Sequence, residues 1–290
     1  MNILSLFDGM SCGRIAAERA GIKVDNYYAS ELDKYAIQVT QANWPNTVQL
    51  GDVTKWREWD IDWSSIDLLI GGSPCQGFSF AGKQLAFDDP RSALFFEYLN
   101  ILNHIKSVNP DVKFMLENVK MKKEYLDVIS NLLGVEPVLI NSSLVSAQNR
   151  QRYYWANWEF IVPNDTGVCW GDIRENNAPE CHYYTAKGLA WINRHSERTG
   201  KKLRIWPNNG KCQMLEASMF KNYSGQRFFA VDDIKGLRYI SLLECERAQT
   251  VPDNYTNHVS NTQRYKMLGN GWTVDVIAHI FESLTTLGSV

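Results

Sequence analysis

The first half of the chain alternates short apolar strand-like segments with helix-like segments, and this alternation restricts the fold more than any other feature. Strand candidates cover residues 3–7, 27–30, 68–71, 114–117 and 138–140, and helix candidates cover 13–20, 33–43, 93–107 and 122–133. Strands that alternate with helices are typical of a parallel sheet with helices on both faces. The pattern therefore predicts a doubly wound, Rossmann-like α/β domain.

The sequence changes character over residues 160–237, where Gly, Asn, Trp and basic residues become frequent and apolar runs shorten. Neither the helical nor the strand period persists there, which predicts a smaller, loop-rich domain. Regular helical patterns return at residues 241–249 and 274–287. We therefore expect one domain from residues 1–159 with 238–290, and a second from 160–237.

Composition excludes some classes of protein and leaves others open. The six cysteines are scattered, without Cys-x-x-Cys pairs or zinc-type histidine spacing, so we expect no metal site and no disulfide framework. The chain opens without a basic leader and has no apolar run near the ~20 residues of a membrane span, which predicts a cytoplasmic protein with no membrane partner. The net charge of -2 does not exclude nucleic acid, because a local basic groove can still attract phosphate.

The sharpest motif contains a cysteine and directly follows an apolar strand candidate. It reads Gly71-Gly72-Ser73-Pro74-Cys75-Gln76-Gly77-Phe78-Ser79. A thiol between a proline and a glycine-bearing turn at a strand end is more exposed than a core cysteine. A soft thiolate suits addition to carbon 6 of cytosine, which would make carbon 5 nucleophilic. Cys75 is therefore our candidate for a covalent nucleophile.

Two further motifs offer groups that such a reaction needs. Glu117, at the end of another strand candidate, could donate a proton or hydrogen bond to N3 of the ring, and a helix-cap role is an equal alternative. If residues 148–152 are extended, Gln148, Arg150 and Arg152 point the same way. Their guanidinium groups suit contacts with cytosine O2 and flanking phosphates, and a solvated charged strand is the alternative.

Glycines and acids at the ends of the first strands predict a nucleotide-like ligand. The run from Phe7 to Gly13 is a strand-to-helix turn where a ligand could approach the backbone. Glu31 is placed to accept hydrogen bonds from ribose hydroxyls, and Asp52 suits an adenine amino group. Turn glycines and helix-capping acids are the alternative for each motif by itself.

Taken in order, these motifs resemble those of the DNA cytosine-5 methyltransferases, over nearly the whole chain outside residues 160–237. The resemblance implies S-adenosylmethionine as methyl donor, S-adenosylhomocysteine as product, and catalytic roles for Cys75, Glu117, Arg150 and Arg152. It makes 1–159 with 238–290 the catalytic domain and 160–237 the target-recognition domain, and it implies that the C-terminal helix folds back beside the first strand. The residues at the family's donor-binding positions are Phe7, Gly9, Ser11, Glu31, Leu32, Asp52, Val53, Pro74, Asn270 and Trp272.

The resemblance also implies duplex DNA as partner, with the target cytosine turned out of the helix. Residues 76–89, which follow the candidate nucleophile, resemble the family's catalytic loop. The candidate DNA contacts in this loop or next to it are Gln76, Ser79, Lys83 and Arg91. A second group, in the predicted recognition domain, comprises Arg194, Arg198, Lys201, Lys202 and Arg204. Basic residues near Trp191 and Trp206 suit DNA contact, and a solvated helix face is the alternative. We expect a monomer, with a cognate restriction endonuclease as a further candidate partner.

Two other functions are compatible with the fold. One is methylation of cytosine in RNA, although the Cys-Phe-Thr signature of the tRNA-directed branch is absent. The other is a DNA-binding relative without catalysis, which should carry a broken nucleophile or arginine motif.

The first turn is one residue longer than the common bacterial form and, with Gly271-Trp272, resembles the mammalian de novo branch.

Overall fold

The computed structural model describes residues 1–73, 93–224 and 229–287. The chain divides into two compact units. The first comprises Met1–Asn141, Gln151–Pro163 and Val274–Val290, and the second comprises Ser142–Arg150 and Asn164–Thr273. Residues 238–273 thus belong to the second compact unit. The predicted functional domains, 1–159 with 238–290 and 160–237, stay a prediction. In the described residues, no helix is long and apolar enough to cross a membrane.

The described strands of the first unit form one seven-stranded sheet, in the order β3-β2-β1-β4-β5-β8-β6. These strands are β1 (Asn2–Leu6), β2 (Asn26–Ser30), β3 (Val48–Gln49), β4 (Leu68–Gly71), β5 (Lys113–Val119), β6 (Val138–Asn141) and β8 (Gln151–Ala156). The five strands from β3 to β5 are parallel, and β8 is antiparallel to both of its neighbours. From β1 the chain first continues to β2 and β3 on one side, and then crosses to β4 on the other side of β1. This change of direction makes the carboxyl end of β1 a topological switch point, where ligands of such sheets bind in a crevice.

Helices cover this sheet as the strand order requires. They are α1 (Cys12–Arg19), α2 (Lys34–Asn43), α3 (Ala93–Val108), α4 (Lys123–Leu133) and, after the second unit, α9 (Val274–Leu287). Right-handed crossovers that run in opposite directions from the centre put α1 and α2 on one face and α3 on the other. The C-terminal helix α9 packs on α1, where Arg19 pairs with Asp275. The predicted doubly wound α/β class is confirmed.

The core of the first unit lies between the sheet and α3. Side chains from alternate positions of β1, such as Leu4 and Leu6, are fully buried with Phe114 of β5. Helix α3 contributes a fully buried stripe, made of Phe95, Tyr98, Ile101, Leu102 and Ile105. This stripe follows the helical period of the sequence, which explains why this helix was predictable. The packing fixes the carboxyl ends of β1, β4 and β5 relative to one another.

The second unit has short strands and four helices in its described residues. Its strands are β7 (Gln148–Asn149), β9 (Arg204–Ile205), β10 (Cys212–Gln213), β11 (Phe229–Asp233) and β12 (Gly236–Arg238), and its helices are α5 (Trp170–Ile173), α6 (Ala186–Thr199), α7 (Leu242–Ala248) and α8 (Asn261–Asn270). Strands β7 and β10 form a parallel pair, and β12, β11 and β9 form a small sheet. Trp170 is fully buried and meets Trp206 edge to face, with ring centroids 4.7 Å apart.

Three helices of the second unit, α5, α6 and α8, were not predicted. Helix α8 has a weak apolar pattern, because Arg264 is buried with Tyr265 and Leu268. Helix α6 begins at the N-cap Thr185, whose hydroxyl accepts from the Gly188 N–H, and buries mainly Gly188 and Ile192. Such a narrow buried stripe in a basic segment gives little signal in the sequence.

Replacing Gly269 with alanine is expected to destabilise the second unit by about 2–3 kcal/mol or more, as overpacking does. A Cβ at Gly269 would lie 2.1 Å from the Glu216 carbonyl carbon and 2.3 Å from the Ala217 nitrogen, both backbone atoms. This clash outweighs the gain of about 1 kcal/mol that alanine normally brings to a helix. Chemical denaturation measures the effect, with the exposed Thr262→Ala in the same helix as control. A Gly269→Ala protein as stable as the wild type would contradict the close approach.

Candidate active site

An ion pair between neighbouring strands is the best-defined polar feature at the carboxyl end of β5. Glu117 lies in β5 and Arg152 in β8, where Val119 pairs in register with Arg152. The Arg152 Nε lies 2.9 Å from Glu117 Oε1, and the side chains are 11% and 10% exposed. A charge-assisted bond in so dry a setting holds the carboxylate in one orientation. Glu117 lies within a strand and so caps no helix, and the burial of Arg152 excludes a solvated charged strand at this position.

The strand that carries Glu117 is also tied to the segment that leads to the candidate nucleophile. Strands β4 and β5 are parallel neighbours, with Gly71 paired to Leu116. Beyond that pair, the buried Asn118 side chain donates to the Ser73 hydroxyl oxygen at 3.2 Å. Ser73 is the last described residue before the motif. Predicted residues Pro74, Cys75, Gln76, Ser79, Lys83 and Arg91 lie outside the described residues, so their roles stay predictions.

The turn after β1 has an unusual backbone. Phe7, Gly9 and Ser11 adopt left-handed φ values of 56°, 59° and 59°. Such conformations are uncommon for residues other than glycine and concentrate at functional sites. Glu31, at the end of β2, accepts from the Gly9 N–H at 2.8 Å and from the Leu32 N–H at 2.7 Å. The carboxylate thus joins the turns that follow β1 and β2.

The other predicted donor contacts of the first unit lie near these turns in the sequence, at the ends of β2 and β3. Leu32 is a large apolar side chain that is 69% exposed, which suits a ligand surface. Asp52 caps a 3-10 helix over Val53–Glu58, and hydrogen bonds from Thr54 lower its pKa. Both of those bonds end on Oδ1. Capping alone would account for Asp52, so its predicted contact with adenine stays a prediction, as does that of the buried Val53.

Asp8 is a residue of this turn that the sequence did not single out. Burial raises the pKa of its carboxyl to about 6, against hydrogen bonds from Ser11, Ser5 and Tyr27 that lower it. The Tyr27 hydroxyl donates to Asp8 Oδ1 at 2.7 Å, and the Ser11 hydroxyl donates to Oδ2. Ser11 itself is fully buried, with its hydroxyl also bonded to Thr40. In the sequence, an acid between Phe7 and Gly9 looks like an ordinary turn residue. Only the packing around it reveals that its pKa is raised.

Polar side chains of the second unit clasp the turn that contains Asn270. Gln249 Nε2 donates to the carbonyls of Leu268 at 2.6 Å and Gly271 at 3.1 Å, and its Oε1 accepts from Thr273 and Gln148. Gln148 Oε1 in turn accepts from the Leu215 N–H at 2.7 Å. Three segments distant in sequence therefore fix one backbone turn. The glutamines were part of recognised motifs, but this contact between them was not foreseen.

Arg150 takes part in the same clasp. Its guanidinium donates to the carbonyls of Leu215, Gly269 and Gly271 at 3.2, 3.3 and 2.9 Å, and the residue is 4% exposed. Arg150 thus lies in the second unit, whereas Arg152 lies in the first. The contacts give Arg150 a bracing role, and its grip on the target base stays a prediction. Asn270 is exposed and Trp272 half-buried, and their donor contacts also stay predictions.

Arg238 is the centre of a buried ionic cluster in the second unit. It donates to Glu244 at 2.6 and 2.9 Å and to Asp233 at 2.7 Å, and Glu244 also accepts from the Ser241 N–H at the start of α7. The Arg238 and Glu244 side chains are fully buried. Breaking one partner of such a cluster leaves an uncompensated charge, so the cluster anchors α7 to β12.

The five basic residues predicted to contact DNA from the recognition domain lie at the surface of the second unit. Arg194 and Arg198 are exposed on α6, and the others follow its C-cap Gly200, namely Lys201, Lys202 and Arg204. Trp206, which the sequence grouped with them, is 6% exposed and belongs to the core. Trp191 is half-buried and stacks on His195. Exposure is compatible both with DNA contact and with a solvated helix face.

A protein-family model described as C-5 cytosine-specific DNA methylase matches the chain over residues 1–156 and 142–286. Among curated proteins, the type II methyltransferase M1.ScrFI of Lactococcus lactis subsp. cremoris is 31% identical over 97% of this chain and 77% of the relative. The type II methyltransferase M.HhaI of Haemophilus parahaemolyticus is 29% identical over 97% of this chain and 93% of its own.

Solved structures share the fold at lower identity. The Entamoeba histolytica methyltransferase EhMeth superimposes with a TM-score of 0.79 at 18% identity, covering 100% of this chain and 99% of that chain. A DNA modification methyltransferase encoded within a prophage of E. coli has a TM-score of 0.72 at 18% identity and covers both chains fully, at 100% each. At this identity the likeness supports the fold alone.

Proposed function

The chain belongs to the C-5 cytosine-specific DNA methylase family and methylates carbon 5 of cytosine in DNA, and we propose that it does so through a covalent adduct on Cys75. The observation that carries the mechanism is the buried ion pair between Glu117 and Arg152. Glu117 lies on β5, and the next residue of that strand, Asn118, is hydrogen-bonded to Ser73 in the segment before Cys75. An oriented carboxyl group near a nucleophile is the arrangement that this addition requires.

In the proposed cycle, the Cys75 thiolate forms a bond to carbon 6 while Glu117 holds a proton or hydrogen bond at N3. The addition moves the electrons of the double bond between carbons 5 and 6 toward carbon 5 and N3, so carbon 5 becomes nucleophilic. Carbon 5 can then take a methyl group from the bound donor, whose carbon–sulfur bond would break to leave S-adenosylhomocysteine. Loss of the carbon 5 proton to water then restores the double bond and expels the thiolate by β-elimination. Arg152 orients Glu117 and, with Arg150, is proposed to hold the base and its phosphates. We propose that no metal takes part in this cycle.

The carboxyl ends of β1, β2 and β3 are the proposed site of the methyl donor. S-adenosylmethionine supplies an electrophilic methyl group when bound. Its nucleoside and amino acid parts fit the residues present, because this edge offers a turn with left-handed backbone, the Glu31 and Asp52 carboxylates, and the exposed Leu32. Phe7, Gly9 and Val53 complete the proposed contacts from the first unit, and Pro74, Asn270 and Trp272 complete them from elsewhere.

The substrate is duplex DNA, and we propose that the target cytosine is flipped out because carbons 5 and 6 are stacked inside the helix. Recognition of a short sequence is assigned to residues 160–237. We further propose a monomer that works in the cytoplasm of a prokaryotic or phage-infected cell. Relatives named type II methyltransferases support a cognate restriction endonuclease as a partner of the same system.

Neutralising the exposed basic residues is expected to weaken DNA binding and its salt dependence. In a variant with Arg194, Arg198 and Lys201 changed to glutamine, the slope of log K against log salt should become shallower by about 1–3, since each phosphate contact contributes about 0.9. Fluorescence anisotropy from 50 to 200 mM salt, roughly the range over which such contacts are lost, measures it. Exposed Lys122 and Lys123, changed likewise, are the control. An unchanged slope would favour a solvated helix face.

The proposed substrate is tested by methyl transfer from labelled donor to duplex DNA and, in parallel, to tRNA. We expect transfer to DNA alone, and bisulfite sequencing of DNA from expressing cells should reveal modified cytosines in one short sequence context. Transfer to tRNA but not to DNA would overturn the choice of substrate. Absence of transfer to either would favour a DNA-binding relative that lacks catalysis.

A further inference from the structure

We infer that Lys211 is a positioning residue for Arg150, the arginine proposed to hold the target base. The inference rests on that proposed role and deepens it. The Lys211 side chain is 21% exposed, and its ammonium group donates to three backbone carbonyls of the second unit. These carbonyls belong to Ser143 at 2.6 Å, Ser146 at 3.2 Å and Val168. An ammonium group has three N–H bonds, so the carbonyls match its donors in number.

Backbone carbonyls, rather than a carboxylate, are the main partners of this charge. In the part of the chain that the structure describes, the only ion pair of Lys211 is with Asp165, at 4.0 Å, and that carboxylate is 61% exposed. An ion pair so long and so exposed contributes little. Hydrogen bonds from a charged donor are stronger than those between neutral groups. The ammonium group therefore joins the chain segments that carry the three carbonyls.

Two of the three carbonyls belong to the turn that leads into the arginine motif. Ser146 lies two residues before β7, and Arg150 follows β7 directly. The Ser146 hydroxyl accepts from the Gln148 N–H at 3.3 Å and donates to the Ala248 carbonyl at 2.6 Å. Lys211 and the end of α7 thus both hold Ser146, next to the strand that carries the motif.

The strand that follows Lys211 pairs with this same strand. Strand β10 runs parallel to β7, and the pair is only two residues long. A ladder this short specifies its register weakly. Lys211 holds the turn before β7, and after β7 Arg150 donates to the Leu215 carbonyl at 3.2 Å. Contacts at both ends of the pair thus place Arg150 where it also reaches the carbonyls of Gly269 and Gly271.

Removing the ammonium group is expected to slow methyl transfer and to leave donor binding intact. Methionine keeps most of the lysine stem but donates no hydrogen bond, so Lys211→Met should release the turn before Arg150. We expect a single-turnover rate about 10- to 100-fold lower, the scale on which a displaced group slows a reaction. Affinity for S-adenosylhomocysteine, measured by isothermal titration calorimetry, should change by less than about 2-fold, because Gln249 still holds the turn at Gly271. The control is Lys23→Met, at a lysine that is 91% exposed in the first unit, and it should match the wild type.

A double-mutant cycle separates positioning from a merely structural role. If Lys211 acts through Arg150, Lys211→Met should slow a protein that already carries Arg150→Ala by less than about 2-fold further, because the group that it positions is gone. Losses that multiply, or an equal loss of donor affinity, would overturn the inference. A wild-type rate in Lys211→Met would overturn the inference alone, whereas a wild-type rate in Arg150→Ala would overturn the proposed role of Arg150 as well.

Chemical rescue keeps the inference testable even if the Arg150 variant folds poorly. Lys211→Ala leaves space for a small primary ammonium ion beside the three carbonyls. Ethylammonium chloride should raise its single-turnover rate about 10-fold, since hydrogen bonds from a charged donor are regained. Tetramethylammonium chloride at equal ionic strength has no N–H and should not, and neither salt should affect Lys211→Met, where methionine fills the space. Equal effects of the two salts on Lys211→Ala would overturn the inference.

Discussion

The Cys75→Ser protein is expected to lose methyl transfer by at least about 10³-fold, the scale on which enzymes lose activity without their nucleophile. A serine hydroxyl has a far higher pKa than a thiol and is a poor nucleophile toward carbon 6 of cytosine. Without that addition, carbon 5 has too little electron density to take a methyl group. The measurement is incorporation of tritiated methyl groups into duplex DNA under single-turnover conditions.

The control for this variant is a second thiol in the same chain. Cys181 is exposed in the second unit, so Cys181→Ser changes an accessible sulfur without touching the proposed site. It should retain wild-type activity, and Cys75→Ser should still bind DNA and donor. Retention of more than a tenth of wild-type activity by Cys75→Ser would contradict covalent catalysis.

The Glu117→Gln protein is expected to show a kcat about 10²- to 10³-fold lower, the usual contribution of a positioned proton donor. Glutamine keeps the shape of the side chain and can still accept from Arg152 Nε, which lies 2.9 Å from Glu117 Oε1. It cannot donate or hold a proton at N3 as a carboxyl group does. Single-turnover rates at saturating DNA and donor report this step directly.

An exposed glutamate on the neighbouring helix provides the matched control. Glu124 lies in the first turn of α4 and pairs loosely with Lys122 at 3.7 Å, so Glu124→Gln should leave kcat unchanged. Thermal unfolding of both variants separates a catalytic effect from loss of the fold. A Glu117→Gln protein within about 3-fold of wild type would contradict its role at N3, whatever its stability.

Most strands and helices of the first unit were predictable because their burial follows the period of the sequence, whereas β3 and β8 were not among the strand candidates. Helix α3 repeats apolar residues at helical spacing, and the Leu68–Gly71 strand is a continuous buried run. The second unit lacked this signal. Its helix α8 buries Arg264 against Glu246 and Thr256, and such a polar interior does not look like a core in the sequence.

The candidate site divides in a similar way. Glu117 and Arg152 were predicted as separate motifs, and the register of β5 and β8 explains their contact. The clasp of Gln148, Arg150 and Gln249 around Gly271 depends on side chains that reach backbone carbonyls more than twenty residues away along the chain. No local pattern encodes such a contact. Asp8 was missed for the same reason, because its state depends on hydroxyl groups from three elements.

The most direct test of covalent catalysis uses DNA that carries 5-fluorocytosine at the target base. Fluorine at carbon 5 cannot leave as a proton does, so the adduct on carbon 6 should accumulate. We expect mass spectrometry of the protein, incubated with this DNA and S-adenosylmethionine, to reveal one oligonucleotide attached to the peptide that contains Cys75, and none in Cys75→Ser. An unmodified Cys75, in a protein that methylates the matching cytosine DNA, would contradict the account.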